Sequence, residues 1–470
     1  SRGLGDVYKR QGAIRLLDGE TELDNVSTYF GQRKVSTEKY DGRDYEYIYV
    51  NNEPVFLSGL LDQGFWEEGV YTAPSEEALK YDIKAMRDRG FNMIRKHLKI
   101  EDPLQYYWAD RLGMFVWQDM PHATYMNAKS NGGETPGRAV YEYALENMLN
   151  RDYNHPSVIA VMLFNETWGI DHNGQKASDG MTTNEWIQHL YYKTKEINPH
   201  LLVEDMSPCN NDHIQPTDLN TFHMYPKGYQ GSKNTVADRE RNTYPGSANN
   251  FWGGFRQESE PWLNSEFGGV AAFDGDYDVS WCFKYQTDIQ RQYEKLNGYV
   301  YTEPYDIEYE RNGVLTYDRR DKIFGYEDVA YGGDMSIIDL NQPNYVGVDI
   351  DPALKAAPGS QYTAPVVAMN WSGETLENPV LKWRFDATDI YGNYITTGKS
   401  GEVPMDFAPY TREQHDISFS LPSQKCVGTF TVWIENNGEK IAKNFVNVIV
   451  TNGKDTAPVS ILTEDSAVLR

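Results

Sequence analysis

The sequence predicts an α/β fold, a (β/α)8 TIM barrel, with a C-terminal all-β immunoglobulin-like sandwich and a short N-terminal β remnant. Three observations carry that prediction. Apolar strand-like runs alternate with amphipathic helical segments through the middle of the chain, the pattern of a parallel sheet built from βαβ units. Glycine recurs at the junction from helix to strand, as with Gly90 before Phe91, Gly113 before Met114 and Gly298 before Tyr299, the signature of a short αβ loop. Beyond residue 333 the pattern changes to short strands spaced by Pro358, Pro379, Pro404, Pro409 and Pro422, as in a sandwich.

At 470 residues the chain is long enough for two or three domains. Residues 1–11 (SRGLGDVYKRQ) lack periodicity and read as a non-native segment, with the true N-terminal part expected to be missing. Residues 12–52 carry short β segments bounded by Asp41–Gly42 and Asn51–Asn52 turn signals, the remnant of an immunoglobulin-like domain. Residues 53–332 hold eight strand candidates, beginning near Val55, Phe91, Met114, Val158, Leu201, Leu219, Pro261 and Tyr299. A helix starts at Ser75, a good N-cap followed by Glu76 and Glu77, with Leu79, Ile83 and Met86 on its buried stripe. Further helices are expected over residues 138–151, 183–197 and 279–296, and residues 227–260 read as a long irregular loop with short helices at the barrel mouth. Residues 333–450 form the sandwich, with strands over 362–367, 380–387, 428–435 and 443–450. Residues 451–470 are a polar tail.

Net charge is −25 and the sequence pI about 4.8, which argues against nucleic acid and anionic membrane surfaces as partners. No run approaches the roughly 18 apolar residues of a membrane helix. Cys209, Cys282 and Cys426 are odd in number and far apart, so neither a disulfide framework nor a zinc spacing is present, and the compartment stays open. Aromatic residues make up 13% of the chain; most fill cores, and the surplus is compatible with a sugar ligand.

In a (β/α)8 barrel chemistry sits at the C-terminal ends of the strands. Unusual polar residues fall there: Asp62 and Gln63 after the first strand, Arg95, Lys96 and His97 after the second, Gln118 and Asp119 beside Trp117 on the third. Asn165 and Glu166 follow the fourth, His223 and Tyr225 the sixth, Glu266 the seventh and Glu303 the eighth. Glu166 closes an apolar run beside an amide and Trp168. Burial raises a carboxyl pKa, which suits a general acid near neutral pH. Glu266 repeats the setting in PWLNSEFGG (261–269). Two such carboxylates point to glycoside hydrolysis.

The motifs NMIRKH (92–97), YWADRLG (107–113), NHPSV (154–158) with FNE (164–166), and NSEFG (264–268) resemble glycoside hydrolase family 2, the family of β-galactosidases, β-glucuronidases and β-mannosidases. The resemblance spans residues 26–328. It implies Glu166 as acid/base, Glu266 as nucleophile, Asn165 on the sugar 2-hydroxyl, and Arg95 paired with the nucleophile to keep it ionised. It implies Tyr225 as a hydrogen-bond donor to the nucleophile, and His97, His223, Trp117, Asp119 and Trp168 as subsite residues. Two departures stand out. The DQGFW segment (62–66) lacks the histidine-bearing loop of better-known β-galactosidases, and no Asn-x-Lys signature of glucuronidases lies near the eighth strand, leaving Lys96 and Lys99 as the cations for a uronate.

The sequence therefore predicts a retaining, exo-acting β-glycosidase of β-galactosidase type, whose partner is an oligosaccharide or glycoside. β-Mannosidase, β-glucuronidase and α-L-arabinofuranosidase remain open, as do an inactive fragment and a non-catalytic carbohydrate-binding protein. No cofactor is called for; a divalent cation such as magnesium has no diagnostic ligand spacing either way.

Overall fold

The computed structural model describes residues 9–121, 136–167, 170, 172, 174–268 and 278–452. Its centre is a sheet of eight parallel strands: β1 (Leu57–Asp62), β2 (Met93–Lys96), β3 (Phe115–Asp119), β4 (Val158–Met162), β5 (Leu202–Glu204), β6 (Asn220–Met224), β7 (Trp262–Gly268) and β8 (Leu296–Thr302). Each starts within three residues of the position predicted from sequence. Neighbours run β5-β4-β3-β2-β1-β8-β7-β6, so β8 pairs back onto β1 and the sheet curls into a barrel. Gly298 lies inside β8 rather than before it. A Cβ there would sit 2.5 Å from the Leu57 carbonyl oxygen, so the close approach of β8 to β1 requires glycine.

Strands β5 and β6 stand at the two ends of that order with no ladder between them. Side chains and one backbone bond join them instead. Val203 N donates to Asp218 Oδ2 at 2.7 Å, Asp218 N donates to the Val203 carbonyl at 2.9 Å, and Thr221 Oγ1 lies 2.5 Å from Glu204 Oε1.

The helices follow from local signals. Ser75 caps Glu76–Arg87 by accepting from Ala78 N at 3.1 Å, and Leu79, Ile83 and Met86 are buried as the stripe predicts. Thr182 and Glu185 form a capping box for Thr183–Ile197. Gly113 ends Pro103–Leu112 in the left-handed conformation, φ 74°. Two expectations differ in extent. Residues 227–260, read as a loop with short helices, hold one long helix, Gly228–Asn242. Only Ser232 and Val236 of it are buried, so it shows no apolar period, and packing against Val279–Gln290 holds it. That second helix stops at Gln290, and Leu296 already belongs to β8.

Two apolar layers surround the sheet. Leu61, Met93, Phe115, Trp117, Ile159, Met162, Leu263 and Val300 fill the barrel interior, together with Ile48 and Val50 from strand Glu46–Val50, which plugs the N-terminal end. Leu60, Met86, Val116, Leu190, Phe222 and Phe283 lie between the sheet and the helices. At the N-terminus Lys9–Asp18 pairs with Thr21–Gly31 as a hairpin. Residues 9–11, predicted to stand apart from the fold, are part of that ladder, opposite Gly31, Phe30 and Tyr29.

After the barrel, strands Asn344–Val348, Gln361–Asn370 and Thr411–Ser420 form one sheet, and Ala353–Ala356, Glu439–Val450, Cys426–Asn436, Pro379–Thr388 and Tyr394–Pro404 a second. Val346, Val366 and Ile417 face Leu381, Phe430 and Val446 in one shared core, the packing of a sandwich. Tyr394–Pro404 and Thr411–Ser420 were not among the predicted strands. Both bury few residues and are rich in small polar ones, so their period-2 signal is weak. Tyr345 OH and Asn444 Nδ2 each donate to Asp288 Oδ1 at 2.7 Å, fastening the sandwich to the barrel.

Candidate active site

Alternation along β6 sets Thr221, His223 and Tyr225 on the barrel-facing side, while Phe222 joins the outer layer. The neighbouring β7 departs from strict alternation. Phe222 pairs with Asn264 and His223 with Glu266, so Ser265 has no opposite residue. This β-bulge re-aims the chain: Ser265 reaches Ser207 and Thr221, and the next residue, Glu266, also reaches the cavity, meeting Arg95 and Tyr225. Gly268 ends the strand at φ 108°, where a Cβ would strike the Tyr301 ring at 2.5 Å. That contact accounts for the glycine of the NSEFG motif.

Arg95 on β2 is completely buried and ties four groups together. Its Nη1 donates to Glu266 Oε1 and to the Ser265 carbonyl, at 3.1 and 3.0 Å. Its Nε and Nη2 donate to the Asp119 carboxylate at 2.9–3.2 Å, and Nη2 to Asn165 Oδ1 at 2.7 Å. Burial works against its charge, but Asp119 and then Glu266 outweigh it and hold the guanidinium above its ordinary range. Tyr225 OH donates to Glu266 Oε2 at 2.6 Å. Burial, and then the Glu266 charge, keep that phenol protonated far above its ordinary value. Glu266 thus accepts from a guanidinium on one oxygen and a phenol on the other.

Glu166 follows β4 in the left-handed region at φ 56°, and Thr167 follows at φ 59°. For non-glycine residues this conformation costs on the order of 1–3 kcal/mol each. It is held by Glu166 N donating to the Ser207 carbonyl at 2.9 Å and by the parallel bridge of Asn165 with Ser207. The strained turn lifts the Glu166 side chain out of the apolar run that precedes it, leaving it 20% exposed against 7% for Glu266. His223 stands between the two acids, its Nδ1 2.6 Å from Glu166 Oε1 and 3.3 Å from Glu266 Oε2. One oxygen of each glutamate and one ring nitrogen of His223 all lie within 4.8 Å of one another.

The other predicted site residues divide. His97 lies close, Nε2 3.7 Å from Glu266 Oε1. Asp119 acts on Arg95 rather than facing the cavity. Trp117 is 1% exposed inside the barrel core, so as placed its ring is no platform for a sugar. Asp62 lies in a separate buried hub. It accepts from Lys96 Nζ, Gln105 Nε2, Gly64 N and the Tyr305 hydroxyl, and Lys96 also meets Glu101. Burial opposes ionisation of Asp62, but Lys96, Tyr305 and Gln105 hold its carboxyl below the ordinary range. Its oxygens are engaged within this hub, and it does not join the groups that meet Glu166 and Glu266. Trp168 lies outside the described residues.

Glu303, at the end of β8, is fully buried, and as a carboxylate both its oxygens would lack a donor. Burial, reinforced by Glu310, pushes its carboxyl well above the ordinary range, and it hydrogen-bonds Glu310. Glu310 in turn accepts from Gln63 Nε2 at 3.3 Å and feels the charges of Glu266 and Glu166. Neither Glu310 nor the hydroxyls of Ser207, Thr221 and Ser265 were expected from the sequence. Serine and threonine in a strand carry no distinguishing pattern, and Glu310 sits in a segment without periodicity.

Among the described residues, Glu166, His223 and Glu266 are the one His, Cys, Asp and Glu set that converges enough to consider for a metal. Its atoms lie within 4.8 Å of one another, and the 2.6 Å contact of His223 Nδ1 with Glu166 Oε1 is a hydrogen bond between acid and imidazole.

The glycosyl hydrolases family 2 TIM barrel domain model matches residues 43–335. A β-galactosidase of Leuconostoc mesenteroides is 27% identical over 440 residues, covering 88% of this chain and 37% of the relative. Among solved structures, the β-glucuronidase of Parabacteroides merdae aligns with a TM-score of 0.56 at 15% identity, over 97% of this chain and 56% of that one. A β-galacturonidase of Eisenbergiella tayi bound to galacturonate aligns with a TM-score of 0.52 at 18% identity, over 68% of this chain and 55% of that one. The chain therefore spans little more than half the length of those structures, and less of its curated relatives. The family match covers well over half of the chain and includes every residue that meets Glu166 and Glu266, so this chain belongs to glycosyl hydrolases family 2.

Proposed function

We propose that this chain carries the catalytic centre of a retaining, exo-acting β-glycosidase for neutral sugars, with β-galactosides as the first substrate class. The observation that supports it is the 4.8 Å limit on the separation of a Glu166 and a Glu266 oxygen. Retaining enzymes hold their carboxyls about 5–5.5 Å apart and inverting ones about 6.5–9.5 Å. Glu266, oriented by Arg95 and Tyr225, attacks the anomeric carbon. Glu166 protonates the departing oxygen, then takes a proton from the water that releases the glycosyl-enzyme.

The preference for a neutral sugar rests on charge. Lys96 is committed to Asp62 and Glu101, and Lys99 to Glu101 and the carbonyls of Gly64 and Tyr71. Among the described residues, the side chains after β8 that feel the charges of Glu166 and Glu266 or pair with one that does are carboxyls, Glu310 and Glu303, not cations. The experiment is a panel of nitrophenyl β-galactoside, β-glucuronide, β-mannoside and α-L-arabinofuranoside, with NMR of the first-formed anomer. The expected result is hydrolysis of the galactoside with retention. An inverted first product, or preference for the glucuronide, overturns the reading.

A further inference from the structure

Behind His223 runs a line of buried hydroxyls that the mechanism above does not use. Ser207 Oγ is 2.7 Å from His223 Nε2, Ser265 Oγ is 2.8 Å from Ser207 Oγ, Thr221 Oγ1 is 2.8 Å from Ser265 Oγ, and Glu204 Oε1 is 2.5 Å from Thr221 Oγ1. Ser207, Ser265, Thr221 and Glu204 are all 0% exposed, so no solvent interrupts the line. It crosses the seam between β5 and β6 and ends on a carboxyl whose other oxygen has no hydrogen-bond partner among the described residues.

We propose that Glu204 and Glu166 share a proton along this file, making Glu204 a positioning residue that acts through His223 to set the protonation of the acid/base. The proposal rests on the reading of Glu166 given above. Each hydroxyl has one proton to donate, so the file has two consistent directions. In one, Glu204 O–H donates to Thr221, Thr221 to Ser265, Ser265 to Ser207, and Ser207 to His223 Nε2. His223 Nδ1–H then donates to an ionised Glu166, the state required of a base. In the other, every bond is reversed: Glu166 O–H donates to Nδ1, Nε2–H to Ser207, and the file ends with Thr221 donating to an ionised Glu204. The two states hold the same number of protons. Passing from the first to the second breaks the Glu204 O–H bond, forms the Glu166 O–H bond, and moves each intervening proton by one hydrogen bond. No co-reactant is consumed.

The surroundings allow this. Burial pushes the Glu204 carboxyl up to about 8, against Thr221 and Arg95 and with a smaller push from Asp205, which favours its protonated form at neutral pH; His213 would oppose this only as a cation, and its Nε2 is an acceptor here. His213 Nε2, 3.9 Å from Glu204 Oε1, already accepts from Thr221 N at 3.0 Å and is not an alternative receiver. The other acceptor near Ser265 Oγ, the Phe222 carbonyl, is longer at 3.5 Å. His223 faces Glu166 and Glu266, and Glu166 also faces Cys209, Tyr225 and Glu310.

The test compares the full chain with Glu204→Gln and Thr221→Val. The first keeps the shape and removes the titrating group; the second keeps Glu204 and cuts the file. With 15N-labelled histidine, and the His223 signals assigned by difference from His223→Asn, the wild-type Nδ1 and Nε2 are expected to share the ring proton at pH 7, both signals lying between those of a protonated and a bare nitrogen. Both variants are expected to show a single tautomer there, because neither can exchange a proton between Glu204 and Glu166. In hydrolysis, the alkaline limb of kcat/KM is expected about one pH unit lower in both, because a coupled pair keeps its last proton to higher pH than one carboxyl alone. If Glu204→Gln does not fold, Thr221→Val carries the test. A wild-type His223 fixed in one tautomer, or Thr221→Val matching wild type in both readouts, overturns the proposal. The NMR arm does so even if no glycoside is hydrolysed, so its failure is separable from failure of the glycosidase reading.

Discussion

Arg95 holds Glu266 from across the barrel, its Nη1 3.1 Å from Oε1, with neither side chain more than 7% exposed. A carboxylate out of solvent needs a charged partner to stay ionised, and an ionised carboxylate is what a nucleophile requires. Glu166 has a different partner, the imidazole of His223, and a more exposed setting. The two acids are chemically similar and their environments divide the roles.

That division predicts different rescue chemistry. Glu166→Ala is expected to lose about 10²–10⁴-fold in kcat on a poor leaving group. On an activated aryl glycoside, azide should restore turnover and give the glycosyl azide of retained configuration. Glu266→Ala should fall to background, and azide should then give the inverted glycosyl azide. Product NMR decides; the same azide from both variants refutes the assignment.

Arg95→Met removes the guanidinium that joins Asp119 to Glu266. Breaking a buried pair by deleting one partner costs about 3–5 kcal/mol, and urea denaturation is expected to read a loss of that order. Arg95→Lys keeps the charge but cannot reach Asp119, Glu266, Asn165 and the Ser265 carbonyl together. It is expected to recover part of the stability while kcat stays depressed. Full recovery of kcat by lysine would show that charge alone matters.

Tyr225→Phe deletes one donor to Glu266 and leaves the ring. A hydrogen bond to a charged group contributes about 1.5–3 kcal/mol, so kcat/KM is expected to fall roughly ten- to hundredfold, with a smaller effect on the melting temperature because only the buried hydroxyl end is changed while the residue as a whole is 45% exposed. A drop in melting temperature with unchanged kcat/KM would place Tyr225 in the fold rather than the chemistry.

Much of this was legible in the sequence because barrel strands are apolar and end abruptly. Asn165 with Glu166, and Glu266 after its Ser265, are polar breaks in otherwise apolar surroundings, and a (β/α)8 fold brings such breaks to one rim. Asp62 and Trp117 satisfied the same positional rule but lie apart from the two glutamates' partners, Asp62 against Lys96 and Trp117 in the barrel core, because position along a strand does not say what will occupy the facing space. The bulge at Ser265 was invisible, since one extra residue in a seven-residue strand leaves no compositional trace. The hydroxyl file was invisible for a related reason: its members come from β5, β6, β7 and the turn after β5, and only the closed sheet brings them together. The helix Gly228–Asn242 lacked a period because tertiary contact, not an apolar stripe, holds it.

Glu303 gives a pH dependence with a definite sign. Burial first, then Glu310, raise its carboxyl in the folded protein above the unfolded value near 4.5. The folded state therefore keeps a proton that the unfolded chain has released. Its contribution to stability is fully present below about pH 4.5 and is lost as pH rises toward the folded value. Melting temperature is accordingly expected to decline from pH 5 upward. Glu303→Gln keeps a donor for Glu310 without a proton to lose, so its melting curve should be flatter over that range and lie above wild type at the alkaline end. Differential scanning calorimetry at pH 5, 7 and 9 checks this. A Glu303→Gln protein that loses stability with pH as steeply as wild type would mean that Glu303 is ionised in the fold, stabilised by a group other than Glu310.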